Sequence, residues 1–225
     1  MTGRGGEQRI PRPVGAQAGG APPWSSLPAA SRHLSLALVR ERLETLPPPG
    51  PPELVAPGSR GAAVLVPLFD ADGEARVILT KRPETMPSHQ GEIAFPGGTF
   101  DPAVDTSLRD TALREAEEEV GLRRDEVEVI AQLDALATVA SRFHITPFVG
   151  ALRDRPSLTA DSREVVSVFD VALADLLDDD AYREERWDIF GAERSIYFYE
   201  LPGETIWGAT ARILTTLLAH LTANL

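Results

Sequence analysis

Between Pro47 and Gly58 the chain reads PPPGPPELVAPG, and no helix or central strand can run through such a stretch. Proline has no amide hydrogen to donate, and its ring collides with the preceding helical turn. The block therefore acts as a stiff linker between unlike segments. Before it, SRHLSLALVRERLETL places Leu34, Leu38, Val39, Leu43 and Leu46 at helical spacing, with Ser31 as a helix cap, which predicts a short amphipathic helix. Earlier still, Met1 to Ala30 is rich in Gly, Pro and Ala and poor in large apolar residues. Such a stretch buries too little surface to offset the entropy of ordering, so a disordered tail is expected over residues 1–30. After the linker the pattern changes to strands. The resulting division is a tail over 1–30, a helix and linker over 31–60, and one domain over 61–225.

Within that domain, AAVLVPLF (Ala62 to Phe69), the turn signal DADGEA (70 to 75) and ARVILT predict a β-hairpin. EIAF is a short strand ended by a turn at Pro96-Gly97-Gly98, and TSLRDTALREAEEEVGL has helical periodicity closed by Gly121. Further strands are expected at Val127 to Ala137, Phe143 to Leu152, Glu164 to Phe169 and Ser195 to Leu201, with a short helix at Leu173 to Leu177. The last helix is WGATARILTTLLAHL, in which Ala211, Leu214, Leu218 and Leu221 form one stripe. Strands interrupted by helices at separated points make an α+β domain with helices packed on a mixed sheet.

Lys and Arg total 22 against 34 Asp and Glu, a net charge of −12 over 225 residues. That excludes a generically basic nucleic-acid binder. There is no cysteine, hence no disulfide, thiolate metal site or cysteine nucleophile, and no argument for an oxidising compartment. Gly and Pro follow Arg4, Arg9 and Arg12 where a signal peptide would carry its apolar stretch, and no run approaches membrane-spanning length. A soluble cytoplasmic protein is expected, with neither nucleic acid nor membrane as partner.

Glu115, Glu118 and Glu119 stand at i, i+3 and i+4 of the helical pattern and so share one face, beside an arc of Ala112, Leu113, Ala116 and Val120 suited to a core. Glu117 falls outside the cluster. Three like charges on one surface repel one another and invite a cation, and hard carboxylate oxygens suit Mg²⁺ or Mn²⁺. A solvated acidic face paired with Arg109 and Arg114 would explain the same spacing. The glycines at 97 and 98 shift the balance, because glycine lets backbone groups come close to a metal or phosphate.

GGTFDPAVDTSLRDTALREAEEEVGL resembles the Nudix box, with REAEEEVGL matching its Arg-Glu-apolar-X-Glu-Glu-X-Gly-apolar core. Thr106 stands where the family usually has a glutamate, and the interval from Gly98 to Arg114 is lengthened; Asp101 or Asp105 is a substitute for the missing carboxylate. FPGG and a lengthened box resemble the coenzyme A pyrophosphatase branch, as does LTKRPETMPSHQGEIAFPGG, where Leu79, Thr80, Arg82, Gly91, Phe95, Pro96, Gly97 and Gly98 match. Pro87 replaces an arginine of that motif, and Pro83 a small residue. ITPFVGAL, EVVSVFDV and IWGATARIL are also similar to members of the branch, so the resemblance runs from about Ala62 to Leu221.

The resemblance implies an α/β/α sandwich with a mixed sheet, and metal-dependent hydrolysis of the diphosphate of coenzyme A to 3′,5′-ADP and 4′-phosphopantetheine. It implies Glu115 and Glu119 as metal ligands, Glu118 as a ligand or as the base, and Arg114 as the residue orienting these carboxylates. Gly97 would offer its carbonyl, with Gly98 beside it in a substrate-binding turn. Glu164, after the polar TADSR segment, is a candidate general base from a loop, or else a structural or specificity residue. Arg82, with Lys81, is a candidate phosphate binder or a solvated strand end. His89 is a loop histidine that could donate to phosphate. His33, His144 and His220 have no metal spacing, Trp187 and Trp207 read as core or interface aromatics, and Ser141 and Ser162 lack a nucleophile elbow. Two rival readings are a Nudix diphosphatase for ADP-ribose, a dinucleotide or a nucleoside triphosphate, and a catalytically silent nucleotide-binding module. The partner is a small nucleotide diphosphate, with the oligomeric state open, a homodimer included.

Overall fold

The computed structural model describes every residue except 1–3, 7, 51–57, 87–88, 139–142, 162 and 224–225. Pro87, Ser141, Ser162 and most of the proline-rich linker thus lie outside the described residues. In chain order the elements are β1 (Gly5–Gly6), β2 (Gln17–Ala18), α1 (Leu36–Glu44), β3 (Arg60–Ala71), β4 (Glu74–Lys81), β5 (Ile93–Ala94), β6 (Gly97–Thr99), α2 (Leu108–Val120), β7 (Val127–Gln132), β8 (Leu136–Ala137), β9 (Phe143–Leu152), β10 (Ser167–Ala172), α3 (Leu173–Leu176), β11 (Tyr182–Ile189), β12 (Ala192–Trp207) and α4 (Gly208–Thr222).

The main sheet runs β10-β4-β3-β9-β7, with β5, β6 and β8 added beside β4, β3 and β9. Its pairs are antiparallel except β3 with β9, which are parallel, Ala62 facing Ile145. Alternation along β3 sends Ala63, Leu65 and Phe69 to a core shared with Ala112, Ala116 and Val120 of α2. Val66 and Leu68 go to the other face, against Val39 and Leu43 of α1 and Leu214, Leu217 and Leu218 of α4. A strand buried on both faces reads as an unbroken apolar run, which AAVLVPLF is. Helices on both faces of a mixed sheet make the α/β/α sandwich. A second sheet, β1-β12-β11-β2, is antiparallel apart from β1, which pairs parallel with β12. Among the described residues no helix is long and apolar enough to cross a membrane.

Several elements differ from the sequence expectation. Ser35, not Ser31, caps α1, accepting a bond from the amide of Leu38. Gly97 and Gly98 sit in a strand paired with Val64 and Ala63, not in a turn. The strand expected from Glu164 begins at Ser167, and that expected at Ser195 to Leu201 is the middle of the 16-residue β12. β11 was not legible at all. The described part of residues 1–30, expected as a disordered tail, is seated on the fold. Trp24 is fully buried and packs edge-on to Tyr182 at 5.4 Å, while β1 and β2 border the second sheet. Composition counted the scarcity of large apolar residues and could not count the distant contacts that seat the segment: the buried tryptophan, the sheet-edge pairing and the ion pairs of Arg4 and Arg12 with Asp178 and Glu185.

Candidate active site

Ser107 caps α2 at its start, accepting from the amide of Asp110, and Gly121 ends it in the left-handed region at φ 71°. The buried stripe Ala112, Ala116 and Val120 fixes the helix against β3, and this rotation turns Glu115 and Glu119 towards β6. The Gly97 amide donates to Glu119 Oε2 at 3.1 Å. At Gly98 an added Cβ would lie 2.4 Å from the Glu115 carboxyl carbon, so only glycine leaves that carboxylate its place. Glu118 is exposed and Glu117 points away to Arg124 at 3.0 Å.

Arg114 bonds three carboxylates at this face. Its guanidinium reaches Glu115 Oε1 at 2.9 Å and Glu118 Oε2 at 3.0 Å, and it grips Asp105 in two bonds of 2.8 and 3.0 Å. Asp105 is buried and also accepts from Thr111 Oγ1 at 2.9 Å and the Asp101 amide at 3.0 Å. These donors, Arg114 foremost, hold its carboxyl far below the usual range. Of the two aspartates near Thr106, Asp105 is thus the one bonded to Arg114. Asp101 bonds within its own turn, to the amide of Ala103, and Thr106 donates to Asp110.

Burial raises the pKa of Glu115 against the pull of Arg114, with Glu118 and Glu164 adding to the rise. Burial also pushes Glu119 up to about 8, with the Gly97 amide and Arg82 opposing and Glu115 and Glu164 adding. The Arg82 backbone is anchored to the carbonyl of Glu92 at 3.0 Å, and its buried Nε has no hydrogen-bond partner among the described residues. Lys81 does not join it, since its ammonium lies 2.7 Å from Glu204 Oε1. His89 stands at φ 57° and its Nδ1 lies 2.8 Å from Glu92. Glu164 is exposed, and its amide donates to Asp161 at 3.0 Å. His220 meets the carbonyl of Arg42 at 3.0 Å.

Glu115, Glu118, Glu119, Glu164, Arg82 and the two glycines all line one cleft of about 1510 Å³. Sequence reasoning missed its other side, the β11–β12 hairpin, which contributes Trp187, Ile189, Phe190, Arg194, Ile196 and Tyr197. The hairpin turns at Phe190 and Gly191, both at positive φ. Gly191 between two runs of mixed residues was the one available signal, and β11, more than half charged, gave no alternation to support it. Trp187 is buried, as expected of a core aromatic, yet it borders this cleft with Trp207.

Three carboxylates and a glycine cradle fit a hard divalent cation by their chemistry. Among the described residues, though, no three acidic or histidine side chains stand grouped to hold one. Glu118 would have to turn from Arg114 towards Glu115 and Glu119.

The NUDIX domain family matches residues 59–190. The chain is 38% identical over 169 residues to the Nudix hydrolase NudL of Photorhabdus laumondii, covering 75% of this chain and 89% of that protein. It is 40% identical over 160 residues to the chloroplastic Nudix hydrolase 22 of Arabidopsis thaliana, 68% of this chain and 52% of that one. Among solved structures it is similar to a MutT/nudix family protein of Enterococcus faecalis, at TM-score 0.49 and 16% identity over 82% of this chain and 68% of that chain. A Nudix hydrolase of M. smegmatis gives TM-score 0.46 and 22% identity over 53% of this chain and 74% of its own. The family match over more than half of the chain and the 38% identity to a Nudix hydrolase along nearly its whole length show the family: this chain belongs to the Nudix family and is a hydrolase of the diphosphatase kind.

Proposed function

We propose that the chain hydrolyses the diphosphate of coenzyme A or its derivatives, releasing 3′,5′-ADP and 4′-phosphopantetheine, with Mg²⁺ or Mn²⁺ as cofactor. The reading is carried by Arg82. It enters the cleft with a buried, unpartnered Nε, and it lies within Leu79 to Gly98, the segment similar to the coenzyme A pyrophosphatase motif. A guanidinium with a spare donor is suited to a phosphate oxygen.

Glu115 and Glu119 would hold the cation, with Glu118 completing the set. A divalent cation there would supply charge neutralisation for the diphosphate and a lowered pKa for the attacking water. Arg114 keeps Glu115 and Glu118 on the cleft side of α2 by its grip on Asp105. Gly98 leaves the Glu115 carboxylate its place at the cleft, and Gly97 lets β6 lie close against β3. Glu164, on an exposed loop at the cleft, or Glu118 would accept the proton of the water. On a chain of charge −12, a bound cation also offsets the repulsion that an anionic substrate would meet.

The test is incubation of the purified protein with coenzyme A and Mg²⁺ or Mn²⁺, alongside ADP-ribose, NADH and nucleoside triphosphates, with products resolved by mass. Fastest release of 3′,5′-ADP and phosphopantetheine is expected. Faster turnover of another diphosphate would overturn the substrate assignment and leave the site assignment standing. Glu119→Gln is expected to lower metal-dependent turnover by roughly a hundredfold, and full turnover would remove Glu119 from the ligand set. Full turnover by Glu164→Ala would likewise leave Glu118 as the base.

A further inference from the structure

Glu185 is buried, 4% exposed, yet it belongs to no part of the acidic helix. Its Oε2 receives the Arg12 Nε at 2.7 Å and the Trp187 indole N–H at 2.7 Å, while Arg183 donates to its other oxygen. A buried carboxylate is tolerated only when its oxygens are so filled. Two of these three donors matter beyond stability. Trp187 borders the catalytic cleft, its ring 6.4 Å from that of Trp207. Arg12 comes from the N-terminal segment, next to Pro11, which borders the same cleft. Between them β2 pairs Ala18 with Glu185 and Gln17 with Arg186, covering the edge that β11 would otherwise expose.

We propose that Glu185, clamped by Arg12, is a positioning residue for substrate binding. It sets the indole of Trp187 in the cleft wall, and it makes the N-terminal segment part of the substrate-binding side of the enzyme. It acts through Trp187 and does not touch the reacting phosphate. The inference does not depend on which diphosphate is the substrate, only on there being one.

Steady-state kinetics of the full chain test it, using coenzyme A with Mg²⁺, or ADP-ribose should coenzyme A not be turned over. Arg12→Ala and Glu185→Gln are each expected to raise KM about tenfold, equivalent to about 1.4 kcal/mol, with kcat within about twofold of the parent. Both are expected to shift the tryptophan emission, and Arg12→Lys is expected to reverse most of the rise in KM. Arg12 has a side chain 59% exposed, and in Arg12→Ala both oxygens of Glu185 keep a donor, Arg183 and Trp187, so this variant carries the test should Glu185→Gln not fold. An unchanged KM in Arg12→Ala would overturn the proposal. So would a fall in kcat and melting temperature together at constant KM, since that is the mark of a purely structural ion pair.

Discussion

At the scale of the residue, the two adjacent glycines of β6 have different jobs. A Cβ on Gly97 would strike the Ala63 carbonyl at 2.4 Å, whereas one on Gly98 would meet only the carboxyl end of Glu115. Backbone cannot yield and a side-chain end can. Gly97→Ala is therefore expected to cost stability, about 1–3 kcal/mol in chemical denaturation. Gly98→Ala should fold normally and lose about tenfold or more in kcat through a displaced Glu115. Asp105 makes a second prediction. Its folded pKa is depressed by Arg114, so the stability it contributes is complete above the ordinary aspartate range near pH 4 and is lost as pH falls through the folded value. Asp105→Asn is expected to lower stability by about 3 kcal/mol at neutral pH and to flatten the loss of stability between roughly pH 4 and 2, read from denaturation midpoints. The glutamates were legible because helical spacing fixes a face. The substitute for the carboxylate absent at Thr106 was legible only as a choice between Asp101 and Asp105, since a loop leading into a helix has no period to decide which carboxylate turns inward, and the bond from Asp105 to Arg114 was not legible.

At the scale of the element, amphipathic helices announced themselves. In α4 the stripe Ala211, Leu214, Leu218 and Leu221 is fully buried as the pattern required, and Leu214→Ala is expected to cost about 2–5 kcal/mol by the cavity it leaves, measured by denaturant titration. The central hairpin β3–β4 was equally plain, because its strands are apolar on both faces and the connecting Asp72 and Gly73 take the positive φ that such a turn needs. β11 escaped because Arg183, Glu184, Glu185, Arg186 and Asp188 break any alternation. Glu184 and Glu185 have partners distant in sequence, Gly20 and Arg12, and no local pattern reports a distant partner. β6 escaped for a related reason: two glycines read as a turn until their pairing with β3 is known.

At the scale of the whole molecule, the sandwich and its cleft follow from one sheet covered on both faces, while the second sheet is completed by the chain's first residues. β1 lies beside β12, with Gly5 facing Pro202, and the centre of the main sheet likewise joins Ala62 to Ile145. A chain emerging from the ribosome at about 5–20 residues per second makes the segment around Gly5 wait roughly 10–40 s before its partner near Pro202 exists. Through that interval Trp24 has no Tyr182 to pack on and Arg12 no Glu185 to hold. The hairpin of β3 and β4 can close early. The cleft wall, by contrast, is assembled last, so nascent and truncated chains carry the acidic helix without the wall that completes the cleft.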